Sequence, residues 1–85
     1  MDALMGLIMK VIVDARRLAK KQRLLLIGNA IKKVGNGEIV VLADDDNARE
    51  DISQAAEHHG WMLKGIESQG DIYRITITPT LSIPP

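Results

Sequence analysis

A run of five apolar residues in the middle of the chain, residues 39–43, most constrains the fold. The run reads Ile-Val-Val-Leu-Ala, and such an uninterrupted, β-branched run is typical of a strand buried on both faces. Segments with helical periodicity lie on either side of it. A helix between two strands favours a parallel, right-handed crossover. The run therefore predicts a central strand of a sheet that contains parallel pairing.

The segment before this run repeats apolar residues at helical spacing. Intervals of three and four residues separate them, which is the pattern of an amphipathic helix. The pattern predicts a helix over about 20–34, with Gly35 after its last turn. Its apolar face is formed by Leu24, Ile27, Ile31 and Val34.

The segment after the run predicts a second helix over 47–59, introduced by three aspartates, Asp44, Asp45 and Asp46. Asn47 and Glu50 have the spacing of a capping box. By composition the aspartates also suit magnesium, but helix capping explains them more simply, and we expect no metal site. Adjacent helical residues point about 100° apart, so the histidines at 58 and 59 do not form a two-ligand face.

Three further segments alternate or cluster apolar residues as strands do. They cover about 10–14, 61–68 and 72–78, and a tight turn at 69–71 joins the last two as a hairpin. The predicted order is β-α-β-α-β-β. We expect an α+β fold, a two-layer sandwich in which two helices lie on one face of a four-stranded mixed sheet. One domain over 10–78 results, with a loose tail over 79–85.

Residues 1–9 are predicted to form an N-terminal extension. The apolar stretch over 3–13 is shorter than the roughly 20 residues that a membrane helix needs, and it has no basic leader. We expect a cytoplasmic chain with no membrane span. The extension is a segment outside the core, an expression remnant or an extra strand, and the sequence leaves these alternatives open.

Charge is balanced over the whole chain but unevenly distributed. Residues 10–33 hold eight basic residues and one acidic residue, whereas 34–85 hold three and nine. Five of the basic residues precede or begin the first predicted helix, where free N–H groups favour anions. We expect an anion or RNA site there, or a solvated face whose cations pair with the acidic half of the same or another subunit. The candidates are Arg16, Arg17, Lys20, Lys21 and Arg23.

The chain contains no cysteine and only two aromatic residues, Trp61 and Tyr73. Disulfides, thiolate metal sites and thiol nucleophiles are therefore excluded for this chain. A platform of several stacking rings for nucleic-acid bases is excluded as well. No residue pattern indicates a cofactor.

The ordered motifs over about 10–78 resemble the TusA family of small sulfur carriers, also called SirA-like proteins. The resemblance is carried by Asp14-Ala15-Arg16 with Leu18-Ala19, by the strand that ends at Ala43-Asp44-Asp45, and by Asn47-Ala48-Arg49-Glu50. His59-Gly60-Trp61 and Tyr73-Arg74-Ile75-Thr76-Ile77 continue it in order. The resemblance implies a four-stranded mixed sheet with two helices on one side.

The family's functional motif is absent. The family carries Cys-Pro-x-Pro at the start of its first helix, after Asp-Ala-Arg-Gly-Leu. Here Lys20 stands at the cysteine position, Lys21 and Arg23 at the proline positions, and Arg17 at the glycine position. A sulfur carrier holds its cargo as a persulfide, which requires a thiolate. We therefore expect no catalytic residue in this chain.

Three hypotheses for function follow. The first is a non-catalytic interaction or regulatory module that docks on a protein or RNA through the basic face of the first helix. The second is an accessory component of a sulfur-relay or tRNA-thiolation pathway, acting with a cysteine-bearing partner. The third is a stable fold whose motif was replaced. We expect a monomer or weak dimer.

Overall fold

The computed structural model describes residues 10–80. Within them the chain forms six elements in the predicted order β-α-β-α-β-β. The predicted extension over 1–9 and the tail beyond residue 80 lie outside the described residues. The elements are β1 (Lys10–Asp14), α1 (Lys20–Val34), β2 (Glu38–Ala43), α2 (Ala48–His58), β3 (Trp61–Gln69) and β4 (Ile72–Pro79).

The four strands form one mixed sheet in the order β1-β2-β4-β3. β1 pairs with β2 in parallel, with Val11 beside Ile39 and Val13 beside Val41. β4 lies antiparallel between β2 and β3. Side chains of alternate strand residues pack with both helices in one core, so the helices cover one face. The predicted two-layer α+β sandwich is confirmed.

The core is aliphatic, as a chain with two aromatic residues requires. Its largest fully buried side chains come from α1, α2, β2 and β4, and Trp61 is 4% exposed at the start of β3. Burying each Ile or Val side chain contributes about 1.5–3 kcal/mol, so this layer supplies the main stabilisation. The members with no more than 1% exposure include Ile27, Ile39, Val41, Ile52, Ile75 and Ile77.

The last strand extends one residue further than predicted. Pro79 is the last residue of β4 and lies opposite Trp61. A proline lacks the N–H that a ladder needs. The β2–β4 pairing already ends at Ile77, so β2 requires no donor from Pro79. The N–H of Thr80 then donates to the carbonyl of Gly60 at 2.9 Å.

The capping box predicted for α2 is wrong. Asn47 is the N-cap, but its side chain makes no capping hydrogen bond. Instead the Asp45 carboxylate accepts from the Asn47 N–H at 2.7 Å, and the Asp45 carbonyl accepts from the Ala48 N–H at 3.0 Å. The helix therefore begins where the spacing predicts, but Asp45 caps it in place of the Asn47 side chain.

Gly28 allows a close approach between the two helices. It is buried in α1, and a Cβ atom there would lie 3.1 Å from Nε2 of His59, the C-cap of α2. The helix propensity of glycine is about 1 kcal/mol poorer than that of alanine. Close packing of the His59 imidazole against the α1 backbone offsets this cost.

Arg17 adopts a left-handed backbone conformation with φ of 61° between β1 and α1. Among residues 10–80 it is the one non-glycine residue with positive φ. Left-handed backbone brings Cβ too close to the following carbonyl oxygen, which glycine avoids. The family's glycine stands at this position in the resemblance, and the backbone conformation still suits glycine.

We expect Arg17→Gly to raise the free energy of unfolding by about 0.5–1 kcal/mol, because relief of the left-handed strain exceeds the added flexibility of the unfolded chain. Urea unfolding followed by circular dichroism measures the change. Arg17→Ala is the matched control, since it removes the same charge but keeps Cβ. Equal stability of the two variants would show that charge, and not backbone strain, governs this position.

Candidate functional site

The parallel pairing of β1 and β2 positions the candidate site. Each strand is followed by a helix, so α1 and α2 both begin at the carboxyl edge of the sheet. The loop 15–19 precedes α1 and the loop 44–47 precedes α2. The five predicted basic residues and the aspartates of the second loop are therefore neighbours at one end of the molecule. The N-termini of both helices carry partial positive charge at this edge.

Arg16 is held by the last residue of β1. Its Nε and one terminal nitrogen donate to the two carboxylate oxygens of Asp14, both at 2.8 Å, and its backbone N–H donates to the same carboxylate at 3.1 Å. These hydrogen bonds lower the pKa of Asp14 from 3.8 to about 2. Both side chains remain at least 40% exposed, so the pair lies at the surface.

Arg17, Lys20 and Lys21 are exposed. The Arg17 N–H donates to Asp44 at 3.3 Å, but its guanidinium forms no ion pair with another residue of 10–80. Lys20 is the first residue of α1 and lies 3.8 Å from Asp51, with 64% of its side chain exposed. Lys21 forms no ion pair within the described part of the chain. These three cations, together with Arg16, form what we call the basic face.

Arg23 does not belong to this surface, although the sequence grouped it with the other four. Its side chain is 3% exposed, and its guanidinium donates to Asp51 at 2.8 Å, to Asp45 at 3.3 Å and to the Leu18 carbonyl at 3.2 Å. Its Nε has no partner among the described residues. Arg23 is therefore a structural cation that joins the first turns of the two helices.

The position of Arg23 left a detectable signal in the sequence. Arg23, Ile27 and Ile31 are spaced by four, so they lie on one face of α1, and all three are buried. A charge on an apolar stripe is rarely buried without a partner. The spacing thus indicates burial, whereas the partner Asp51, 28 residues away, becomes visible only in the fold.

The aspartates of the second loop make three different contacts. Asp44 accepts from Arg17, Asp45 caps α2 and accepts from Arg23, and Asp46 accepts from the Tyr73 hydroxyl at 2.6 Å. The last contact raises the pKa of Tyr73. Within residues 10–80 no three acidic or histidine side chains form a metal-binding cluster. The contacts instead fix the loop against α1 and β4.

The two histidines at the end of α2 have separate positions. The rings of His58 and His59 are nearly perpendicular, with centroids 5.3 Å apart. His59 is partly buried against Gly28, whereas His58 is exposed. The rings lie at the opposite end of α2 from the basic face, so they contribute nothing to it.

Beside Lys20 lies an open cleft of about 340 Å³ whose lining combines both signs of charge. Lys20 and Arg23 contribute cations, and three carboxylates face them. A small anion in this cleft would meet those carboxylates as well as the helix N-terminus. Contact with a negatively charged partner is therefore more favourable at the outer cations, Arg16, Arg17 and Lys21, than inside the cleft. The acidic lining is Asp45, Glu50 and Asp51.

Comparison with known proteins identifies the family. The sequence profile described as sulfurtransferase TusA matches residues 11–78. The chain belongs to the TusA family. A crystal structure of a SirA-like protein from Desulfitobacterium hafniense is similar in fold, with a TM-score of 0.72 and 22% identity over 84% of this chain and 99% of that chain. None of the curated proteins matches.

This TusA-family chain keeps the scaffold and lacks the thiol. Lys20 occupies the start of α1, where the resemblance places the family's cysteine, and its ammonium is exposed. An ammonium cannot form the sulfur–sulfur bond of a persulfide, and no residue of the chain supplies a thiolate. No helix within residues 10–80 is long and apolar enough to cross a membrane.

We expect Asp51→Ala to lower the free energy of unfolding by about 3 kcal/mol, because it leaves the Arg23 charge buried without its main partner. The double variant Arg23→Met/Asp51→Leu is the matched control, and we expect it to recover most of the loss. Urea unfolding measures both. A loss below about 0.5 kcal/mol in Asp51→Ala would contradict a structural role for the pair.

The Arg16–Asp14 pair makes the free energy of unfolding depend on pH in the acidic range. Because the folded pKa of Asp14 lies near 2, below its ordinary 3.8, the pair stabilises the fold above the ordinary value and is lost as the pH falls towards 2. Titration of the carboxyl ¹³C signal should show this low pKa in the wild type and a return towards the ordinary value in Arg16→Gln. Arg17→Gln, which removes a more distant charge, should change it less. An unchanged Asp14 pKa in Arg16→Gln would contradict the pairing.

Proposed function

We propose that this TusA-family chain is a non-catalytic interaction module that docks on an acidic protein partner through its basic face. The observation that carries the proposal is the exposed Lys20 at the start of α1, in a chain that has no cysteine. Persulfide chemistry needs a thiolate. The retained scaffold then presents a charged surface where the family presents a nucleophile.

The electrostatics of α1 favour a negatively charged partner. Its first turn contains Lys20, Lys21 and Arg23 and no acidic residue. Cations at a helix N-terminus are unfavourable by about 0.3–1 kcal/mol each at low salt. Asp51 neutralises Arg23 and lies near Lys20, but Lys21 has no such neighbour within residues 10–80. Acidic side chains of a partner would relieve this repulsion.

A protein partner explains the surface better than RNA does. Trp61 is buried, and the Tyr73 hydroxyl is engaged by Asp46, so neither ring is presented beside the basic face for base stacking. The carboxylates of Asp44 and Glu50 border the basic face and are exposed. They would repel a continuous phosphate backbone and so disfavour RNA binding. Membership of a sulfurtransferase family supports a partner that itself carries the cysteine.

Labelling with a ³⁵S sulfane-sulfur donor tests the non-catalytic part. We expect the wild type to acquire no covalent label, because no thiolate is present to attack the sulfane sulfur. Lys20→Cys is the matched control, and we expect it to be labelled in a form that dithiothreitol releases. Covalent sulfur on the wild-type chain, detected by mass spectrometry, would overturn the proposal.

Binding to a ten-residue polyglutamate peptide and to unmodified tRNA tests the docking part. Lys20→Glu/Lys21→Glu should weaken polyglutamate binding about thirtyfold at low salt, since two exposed attractions of about 0.5 kcal/mol are replaced by repulsions of similar size. Lys20→Arg/Lys21→Arg keeps the charges and should bind as the wild type does.

The tRNA measurement tests the alternative that the basic face binds RNA. Binding through phosphates loses affinity steeply with salt, by about 0.9 log units per contacted phosphate on a duplex for each log unit of salt. If tRNA binds with this steep salt dependence and requires Lys20 and Lys21, and polyglutamate does not bind, RNA binding would replace the protein-docking proposal.

A further inference from the structure

The edge of β1 has features of a peptide-binding site that are separate from the basic face. β1 is the outermost strand on its side of the sheet formed by residues 10–80. Beside it lies an open, mainly apolar groove of about 470 Å³ between β1 and α1. The groove is lined by Val11 and Val13 of the strand and by Leu26, Asn29, Ala30, Lys33 and Val34 of the helix.

The main-chain groups of Ile12 point outward from this edge. The Ala15 N–H donates to the Leu42 carbonyl of β2 at 2.9 Å. In a parallel ladder, residues that bond to one neighbour alternate with residues whose N–H and C=O point the other way. Val11 and Val13 therefore share the inward direction of Ala15, and Ile12 presents a donor and an acceptor to the outside. Its side chain is 59% exposed.

The charge around the groove indicates the chemistry of its occupant. Lys33 lines the groove and Lys10 begins β1. The helix α1 as a whole contains five basic residues and no acidic one. Lysines on an edge strand protect it from indiscriminate pairing. The same lysines attract an acidic chain. A second copy of this protein would bring its own basic α1 alongside, so the charges oppose self-pairing through β1.

We propose that the edge of β1 binds an extended peptide with apolar residues at alternate positions and an acidic residue at the end that lies beside the start of β1. The peptide pairs with Ile12 as an added strand. Its alternate side chains enter the groove against Ala30 and Leu26, and the acidic residue at one end meets Lys10 and Lys33, which both lie at the end of the groove where β1 begins and α1 ends. This binding site goes beyond the proposed function and uses none of Arg16, Arg17, Lys20 or Lys21.

The test uses the full chain and a labelled, end-capped probe peptide, Glu-Val-Thr-Val-Glu, with Lys-Val-Thr-Val-Lys as its charge-reversed control. We expect the acidic probe to bind and to shift the amide NMR signals of Ile12, Leu26 and Ala30, and the basic probe to bind at least about tenfold more weakly. Failure of the acidic probe to shift these signals at millimolar concentration would overturn the proposal.

Ile12→Pro tests the added strand directly. The substitution removes one outward N–H and replaces an exposed side chain. Proline is tolerated at such edge positions, so the fold should persist by circular dichroism. We expect about a tenfold loss of probe affinity, the value of one hydrogen bond of about 1.4 kcal/mol. Ile12→Thr keeps the N–H and should change affinity by less than about twofold. Equal binding by the proline and threonine variants would overturn strand addition.

Two further variants separate the alternatives. Ala30→Glu places a carboxylate in the groove and should abolish binding of the acidic probe. This variant tests the groove even if Ile12→Pro fails to fold, and unchanged binding would overturn the proposal. Lys20→Glu/Lys21→Glu should leave probe affinity within about twofold, so failure of the basic-face proposal is seen independently. Sedimentation that shows a dimer, made monomeric by Ile12→Pro, would assign the edge to a second copy and overturn peptide binding.

Discussion

Parallel pairing of β1 with β2 is the constraint on which the rest of this structure depends. It makes α1 and α2 begin at the same edge of the sheet, where two positive helix ends lie close together. The first turn of α1 adds cations to this edge, and the first turn of α2 adds Glu50 and Asp51. The buried pair of Arg23 and Asp51 joins the two turns and leaves the remaining cations of α1 exposed to solvent.

Local periodicity was sufficient to predict most of the fold. The apolar spacing of α1 and the β-branched run of β2 each depend on neighbours in the chain, and both elements lie where the sequence predicts them. The Asn47 capping box failed because spacing identifies a possible hydrogen bond but not the competing one from Asp45. Pro79 ends β4, one position beyond the predicted last residue of the strand.

The sequence predicted where the basic residues of the candidate site lie, but not which of them are exposed. Charge counting placed five basic residues at the start of α1, and four of them are exposed there. Arg23 differs because burial depends on the packing of α2 against α1. The left-handed backbone of Arg17 also depends on how the loop closes. The resemblance to the TusA family places a glycine at this position, and the left-handed backbone of Arg17 suits that residue.

Two contacts fix α1 against α2, and they lie at different heights along the helix pair. Arg23 meets Asp51 near the start of α2, and Gly28 receives His59 at its end. Fixing two separated points prevents one helix from sliding or turning on the other. The exposed Lys21 takes part in neither contact, and the exposed Lys20 adds only a 3.8 Å approach of its Nζ to Asp51. The side chains at the start of α1 can therefore be replaced, in evolution or in the laboratory, while the two helices keep their relative positions.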